Sequence, residues 1–278
     1  MTRVEGRRIT RVARVMGTAV SVHVHLAAGA DASLAARAAG AADAAIGEVR
    51  RIDALCSTYR ADSEVERLRS GDLDWADAHP LVHELAERCR QMEDATHGRV
   101  SAGWRGGFDP TGLAKGWAVE RAVALELAPL LAVPGVVAVG MNAGGDMQLA
   151  TAPGADWTWR IGITDPLAPG GLLAVVEVVD GAVATSGTVE RGSHIVDPTT
   201  GRPALGAVAA TVVADGLTEA DAWATAAVVA GAADLSWIGE AGTRSGLVVA
   251  PDGTVRRWVG QAEVVTAEAV TAEAIAAR

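Results

Sequence analysis

The most constraining stretch of this chain is Gly107-Phe108-Asp109-Pro110-Thr111-Gly112-Leu113-Ala114-Lys115-Gly116-Trp117, which runs without a break into the helix-forming segment Ala118 to Leu125. Glycines and a proline open it, and the lysine stands at the junction of loop and helix. There the free backbone N–H groups and the positive end of the helix dipole favour an anion. The outline is that of a phosphate seat, with Lys115 as a ligand-facing surface cation that does not serve the fold. It is not a Walker A loop, because Gly116 follows the lysine where Ser or Thr would stand, and only two residues separate Gly112 from Lys115. Read alone, the stretch also fits a glycine-bearing turn with a surface lysine. Other stretches have to decide.

With 278 residues, 50% of them apolar and 21% charged, the chain is expected to form a sizeable core. We read a lead at 1–14, one domain at 15–260 and an Ala/Glu-rich tail at 261–278, the tail as a helix or frayed end. A net charge of −10 leaves no basic footprint for nucleic acid or an anionic membrane. An anionic ligand would rely on local dipoles and a few cations. Cys56 and Cys89 lie in helix-like segments with no CxxC or CxxH neighbourhood, so they read as buried apolar residues rather than zinc ligands. No apolar h-region follows the charged N-terminus, and no run of 18 apolar residues occurs. These features predict a cytoplasmic protein with no membrane insertion.

In chain order, Val20 to Leu26 alternates apolar and polar residues as a half-buried strand does, placing His23 and His25 together on its outer face. With no third ligand nearby, they read as solvent-facing histidines on an edge strand. Ala32 to Leu55 and Leu81 to Thr96 carry apolar residues at helical spacing, and Gly98 suits a left-handed C-cap after the second. Short strands are expected at Gly135–Gly140, Trp157–Ile163, Leu173–Val179, Ala182–Thr185 and Ala207–Ala214, with a hairpin around Pro251-Asp252-Gly253.

Several polar stretches punctuate these elements. Ser63 and Glu66 form a capping box, so the residues before it are a loop delivering Tyr59, the only tyrosine of the chain and a ring able to stack on a planar ligand. Asn142-Ala143-Gly144-Gly145-Asp146 lets backbone approach a ligand beside a carboxylate. Thr185 to Pro203 is the most polar long loop, and its His194 stands among hydroxyls, Arg191 and Asp197. Thr218 to Ala230 reads as a helix capped by Thr218. Its Asp221 and Thr225 share one face a turn apart, offering hard oxygen donors of the kind Mg²⁺ takes, although a first-turn Asp also simply suits the helix dipole.

Taken in order, Met16-Gly17-Thr18, Ser57-Thr58-Tyr59 with Ser63-Glu64, Asp109 to Gly116, Asn142 to Asp146, Thr185-Ser186-Gly187 with Glu190-Arg191, His194 to Pro203, and Asp221 to Thr225 resemble the ApbE family, the FAD:protein FMN transferases. The resemblance implies an α+β fold of T-fold-like character, in which a mixed or antiparallel sheet packs with helices. It implies FAD as substrate and Mg²⁺ on its pyrophosphate. Met16, Tyr59, Asp109, Lys115 and His194 would contact FAD, and the Gly112 carbonyl, Asp221 and Thr225 would hold the metal. Lys115, Asp221 and His194 would carry the chemistry, with FMN passing to a Thr or Ser hydroxyl of a client protein and AMP leaving. The same residues would also serve an FAD pyrophosphatase, in which water replaces the hydroxyl, or a flavin-binding protein without chemistry.

Overall fold

The computed structural model of the chain describes residues 6–188, 195–264 and 275–276. Its helices are α1 (Ala32–Cys56), α2 (Glu64–Ser70), α3 (Pro80–Ala95), α4 (Thr111–Ala122) and α5 (Leu217–Ala230). The strands are β1 (Arg7–Val15), β2 (Thr18–Leu26), β3 (Val136–Ala143), β4 (Asp146–Thr151), β5 (Trp159–Thr164), β6 (Leu172–Val178) and β7 (Gly181–Gly187). They continue as β8 (Val196–Asp197), β9 (Arg202–Pro203), β10 (Ala209–Ala214), β11 (Ser245–Val249), β12 (Val255–Val259), β13 (Ala262–Val264) and β14 (Ile275–Ala276). Nine of them form one sheet in the order β1-β2-β3-β4-β7-β10-β11-β12-β13, every neighbouring pair antiparallel. A smaller sheet, β14-β6-β5, has β14 parallel to β6, which completes the α+β, mixed-sheet architecture.

Alternation along the central strands decides which layer covers which face. Ala210, Val212 and Ala214 of β10, with Ala182 and Ala184 of β7, belong to the main core beneath the helices. The intervening Val213 and Val183 join Leu149, Leu247 and Val249 in a second core closed by Ile163, Ala174, Val176 and Val178 of the small sheet. Both faces of these strands are therefore buried, and β10 shows no exposed position at all.

Three expectations change here. The basic stretch before the hairpin is a strand: β1 pairs with β2 from Arg7↔Leu26 to Val15↔Thr18 and takes the sheet edge itself. β2 is therefore an interior strand, and His25 lies under cover, its ring 4.2 Å from Trp157 and 5.2 Å from Trp159 between centroids. In the tail, the described residues after Gln261 are strands β13 and β14 rather than helix. Several local readings hold. Ser63 caps α2 by accepting from Glu66 N–H at 3.1 Å, Gly98 has φ +75° after α3, and Cys56 and Cys89 are buried free thiols whose pKa values burial pushes up to about 12.

Candidate active site

Helix α5 is buried around nearly its whole circumference, so any polar group on it needs a partner. Its first N–H groups find theirs far away in the chain. Leu217 N–H donates to Gln148 Oε1 (2.8 Å) and Thr218 N–H to Glu120 Oε2 (2.7 Å). This corrects the expected cap: the helix begins one residue earlier, after Gly216, and Thr218 lies inside its first turn.

Asp221, one turn on and 7% exposed, meets Lys115 Nζ through Oδ2 at 3.2 Å. The same ammonium is paired with Oδ2 of Asp146, the first residue of β4. Asp146 is 5% exposed, and its Oδ1 accepts from Thr185 N–H at 2.9 Å. The lysine reaches this place because Gly116 has no side chain. A Cβ there would lie 3.0 Å from both Leu217 O and Asp221 Oδ2, so glycine lets α4 close on α5. Lys115 is thus not a free surface cation but the counter-ion of two buried carboxylates. Burial opposes its charge, yet Asp221 and Asp146 outweigh burial and hold its pKa above the ordinary lysine value. For Asp221, burial pushes the pKa up, Lys115 draws it back and Asp146 raises it again, with a net upward result.

Glycine turns bring other motifs to the same end of the sheet. Met16 and Gly17, at φ +51° and +71°, make the two-residue turn between β1 and β2, a conformation of primed hairpin turns. Gly144 and Gly145 do the same between β3 and β4, with Gly144 N–H donating to Ala19 O at 3.1 Å. A Cβ on Gly144 would run into the Thr18 hydroxyl, so the two turns lie side by side, next to Asp146. Thr58 and Thr111 join hydroxyls at 3.0 Å, tying the loop of Tyr59 to the start of α4. Tyr59 itself is 88% exposed, a ring with nothing to cover it among the described residues. Asp109 caps the entry to α4 by accepting from Thr111 N–H at 3.1 Å, and it lines a small crevice with Gly112. Thr225 meets the Ser186 hydroxyl at 2.9 Å.

The structure therefore brings Lys115 and Asp221 into direct contact, with Asp109 on the approach to α4, Gly112 in its first turn, Thr225 one turn beyond Asp221, and Met16 and Tyr59 on loops. His194 lies outside the described residues. Asp146 is the site residue that sequence reading left without a role; its signal was a carboxylate immediately after a glycine pair between two strands.

Among the described residues, no group of three or more His, Cys, Asp or Glu side chains could form a metal cage by itself. The donor chemistry fits Mg²⁺ nonetheless. A buried carboxylate and a hydroxyl stand one helical turn apart, and an ammonium already bridges the two carboxylates, so the place seats a positive charge. Mg²⁺ commonly keeps waters and takes its remaining oxygens from one or two carboxylates and a substrate phosphate, which suits so sparse a protein set.

The antiparallel sheet, with a half-buried lysine held by two buried carboxylates near two tight turns, defines a class. The family model described as the ApbE family matches residues 16–104 and 104–245, and the chain belongs to that family. It is 36% identical over 148 residues to a curated FAD:protein FMN transferase of Rhodobacter capsulatus, a match spanning 50% of this chain and 28% of that protein. A protein of the same name from Escherichia coli K12 is 33% identical over 122 residues, or 40% of this chain and 35% of that one. These alignments thus span little more than a third of the relatives' own lengths at most.

Among solved structures, the ApbE protein of Thermotoga maritima superposes with a TM-score of 0.76 at 22% identity, over 90% of this chain and 97% of that one. The flavin transferase ApbE of Vibrio cholerae gives 0.69 at 20% identity, over 92% and 98%. These likenesses establish the fold.

Proposed function

We propose that this chain transfers FMN from FAD to a Ser or Thr hydroxyl of a client protein and releases AMP, with Mg²⁺ as the assisting ion. The observation that carries the reading is Lys115 held between Asp146 and Asp221 at the convergence of α4, β4 and α5. It sets an ammonium and a carboxylate suited to a hard cation beside the glycine turn that precedes Asp146. Family membership and the names of the relatives point the same way.

In this reading Tyr59 and Met16 offer apolar contact to the ring systems of FAD. Lys115 faces the diphosphate, and Asp109 orders the loop through which the ligand reaches α4. Asp221, Thr225 and the Gly112 carbonyl would hold Mg²⁺, which when bound supplies neutralisation of the charge that develops as the anhydride breaks. The client's hydroxyl oxygen forms a bond to the phosphorus on the FMN side, the phosphorus–oxygen bond of the anhydride breaks, and AMP departs with the electron pair. The hydroxyl proton passes to a base, a role suited to the His194 imidazole.

The test is chromatography of FAD incubated with the protein and Mg²⁺ in the presence of acceptor protein. AMP should appear while an equal amount of FMN leaves the free pool, and Asp221→Asn or EDTA should cut AMP formation by about two orders of magnitude or more. AMP matched by free FMN would assign hydrolysis instead. No AMP at all, with FAD bound, would leave a flavin-binding protein.

A further inference from the structure

Two buried carboxylates against one ammonium leave the cluster one negative charge in excess. The excess is not shared evenly. Asp146 is anchored by the Thr185 N–H and holds the ammonium the closer, whereas Asp221 meets it at 3.2 Å. The Lys115 side chain as a whole remains 21% exposed.

Resting on the transferase reading, we propose that Asp146 is a positioning residue that retains Lys115 when a divalent cation takes Asp221. Lys115 then acts as the resident cation of the metal-free protein. It gives up Asp221 to the incoming ion without leaving the site, because Asp146 still pairs with it. Entry of the ion turns the excess from one negative to one positive charge. An anionic diphosphate is repelled by the first state and attracted by the second, so cation and diphosphate reinforce each other's binding. A lysine with a single carboxylate partner could not do this, since the ion and the ammonium would compete for one seat.

Substitutions at Asp146 and at Lys115 have opposite expected effects on cation affinity. Mn²⁺ binding to the full chain, without FAD, is measured from the free-ion signal in electron paramagnetic resonance. Asp146→Asn keeps an oxygen for Thr185 N–H but leaves Lys115 only Asp221, and should weaken Mn²⁺ binding by about 10–100-fold. Lys115→Met removes the competitor and should tighten it. The Lys115→Met protein should also melt at a lower temperature in EDTA and recover when Mn²⁺ is added, since its buried carboxylates then lack a counter-ion.

Wild-type affinity in a folded Asp146→Asn protein, or weaker binding in Lys115→Met, would overturn the proposal. Should Asp146→Asn not fold, Lys115→Met decides alone. Because the titration needs no FAD, its outcome is independent of AMP release, on which the transferase reading stands or falls.

Discussion

Gly116 lies directly against Asp221: a Cβ on the glycine would stand 3.0 Å from Oδ2 and 3.1 Å from the Asp221 Cβ. The contact explains why the residue after the lysine is glycine and not the Ser or Thr of a Walker A loop. The space beside the lysine is filled by another helix and its carboxylate, and the nearby backbone oxygen of Leu217 cannot swing away as a flexible side chain could.

Gly116→Ala should therefore force α4 and α5 apart and cost about 1–3 kcal/mol, the usual penalty of overpacking. Gly112→Ala, in the same helix with open space at its Cβ, should instead gain about 0.4–1 kcal/mol through the unfolded state. Urea denaturation of both variants measures the contrast. Equal effects would mean that the close approach of the helices does not matter.

Glu120 sits five residues beyond Lys115 on α4 and accepts from Thr218 N–H at the start of α5. It thereby fixes the position of the helix carrying Asp221 and Thr225. Glu120→Ala leaves that N–H without its acceptor and should cost about 1–3 kcal/mol. Glu120→Gln keeps an acceptor oxygen and loses only the favourable charge at the helix N-terminus, about 0.3–1 kcal/mol. The order of the two urea midpoints is the check.

His25 provides a pH dependence. Burial, then the charges of Arg8 and His23, lower its pKa from 6.5 to about 4. The folded protein thus prefers the neutral ring, and the unfolded chain binds the proton more readily between these values. The stabilising contribution is complete above about pH 6.5 and is lost progressively as the pH falls towards about 4. His25→Gln should lose less stability than wild type between pH 7 and pH 4.5, read from urea midpoints at each pH. Parallel declines would place the acid sensitivity elsewhere.

What was legible in the sequence was what depends on near neighbours. Ser63 and Glu66 announce the start of α2, the glycine pair Gly144-Gly145 announces the turn after Ala143, and the alternation of Val20 to Leu26 announces β2. The errors came from partners distant in the chain. Lys115 reads as a surface residue because its carboxylates lie 31 and 106 positions away. Thr218 reads as a cap because the true acceptors, Glu120 and Gln148, are 98 and 69 positions away. His25 reads as solvent-facing because the rings that cover it, Trp157 and Trp159, come from far along the chain, and β2 reads as an edge because the arginines of Arg7 to Val15 obscure the alternation of Ile9, Ala13 and Val15. Of the site, the contact between Lys115 and Asp146 is a property of the folded chain alone.

The most direct measurement of the central claim is peptide mapping by mass spectrometry. Protein, FAD and Mg²⁺ are incubated with the soluble proteins of the source organism, and flavin-bearing peptides are sequenced. The account predicts FMN attached through a phosphoester to Ser or Thr of an acceptor, with AMP released in equal amount and no adduct when Asp221→Asn replaces the wild-type chain. FAD cleaved to free FMN and AMP with no flavin on any peptide, or adducts undiminished by Asp221→Asn, would contradict it.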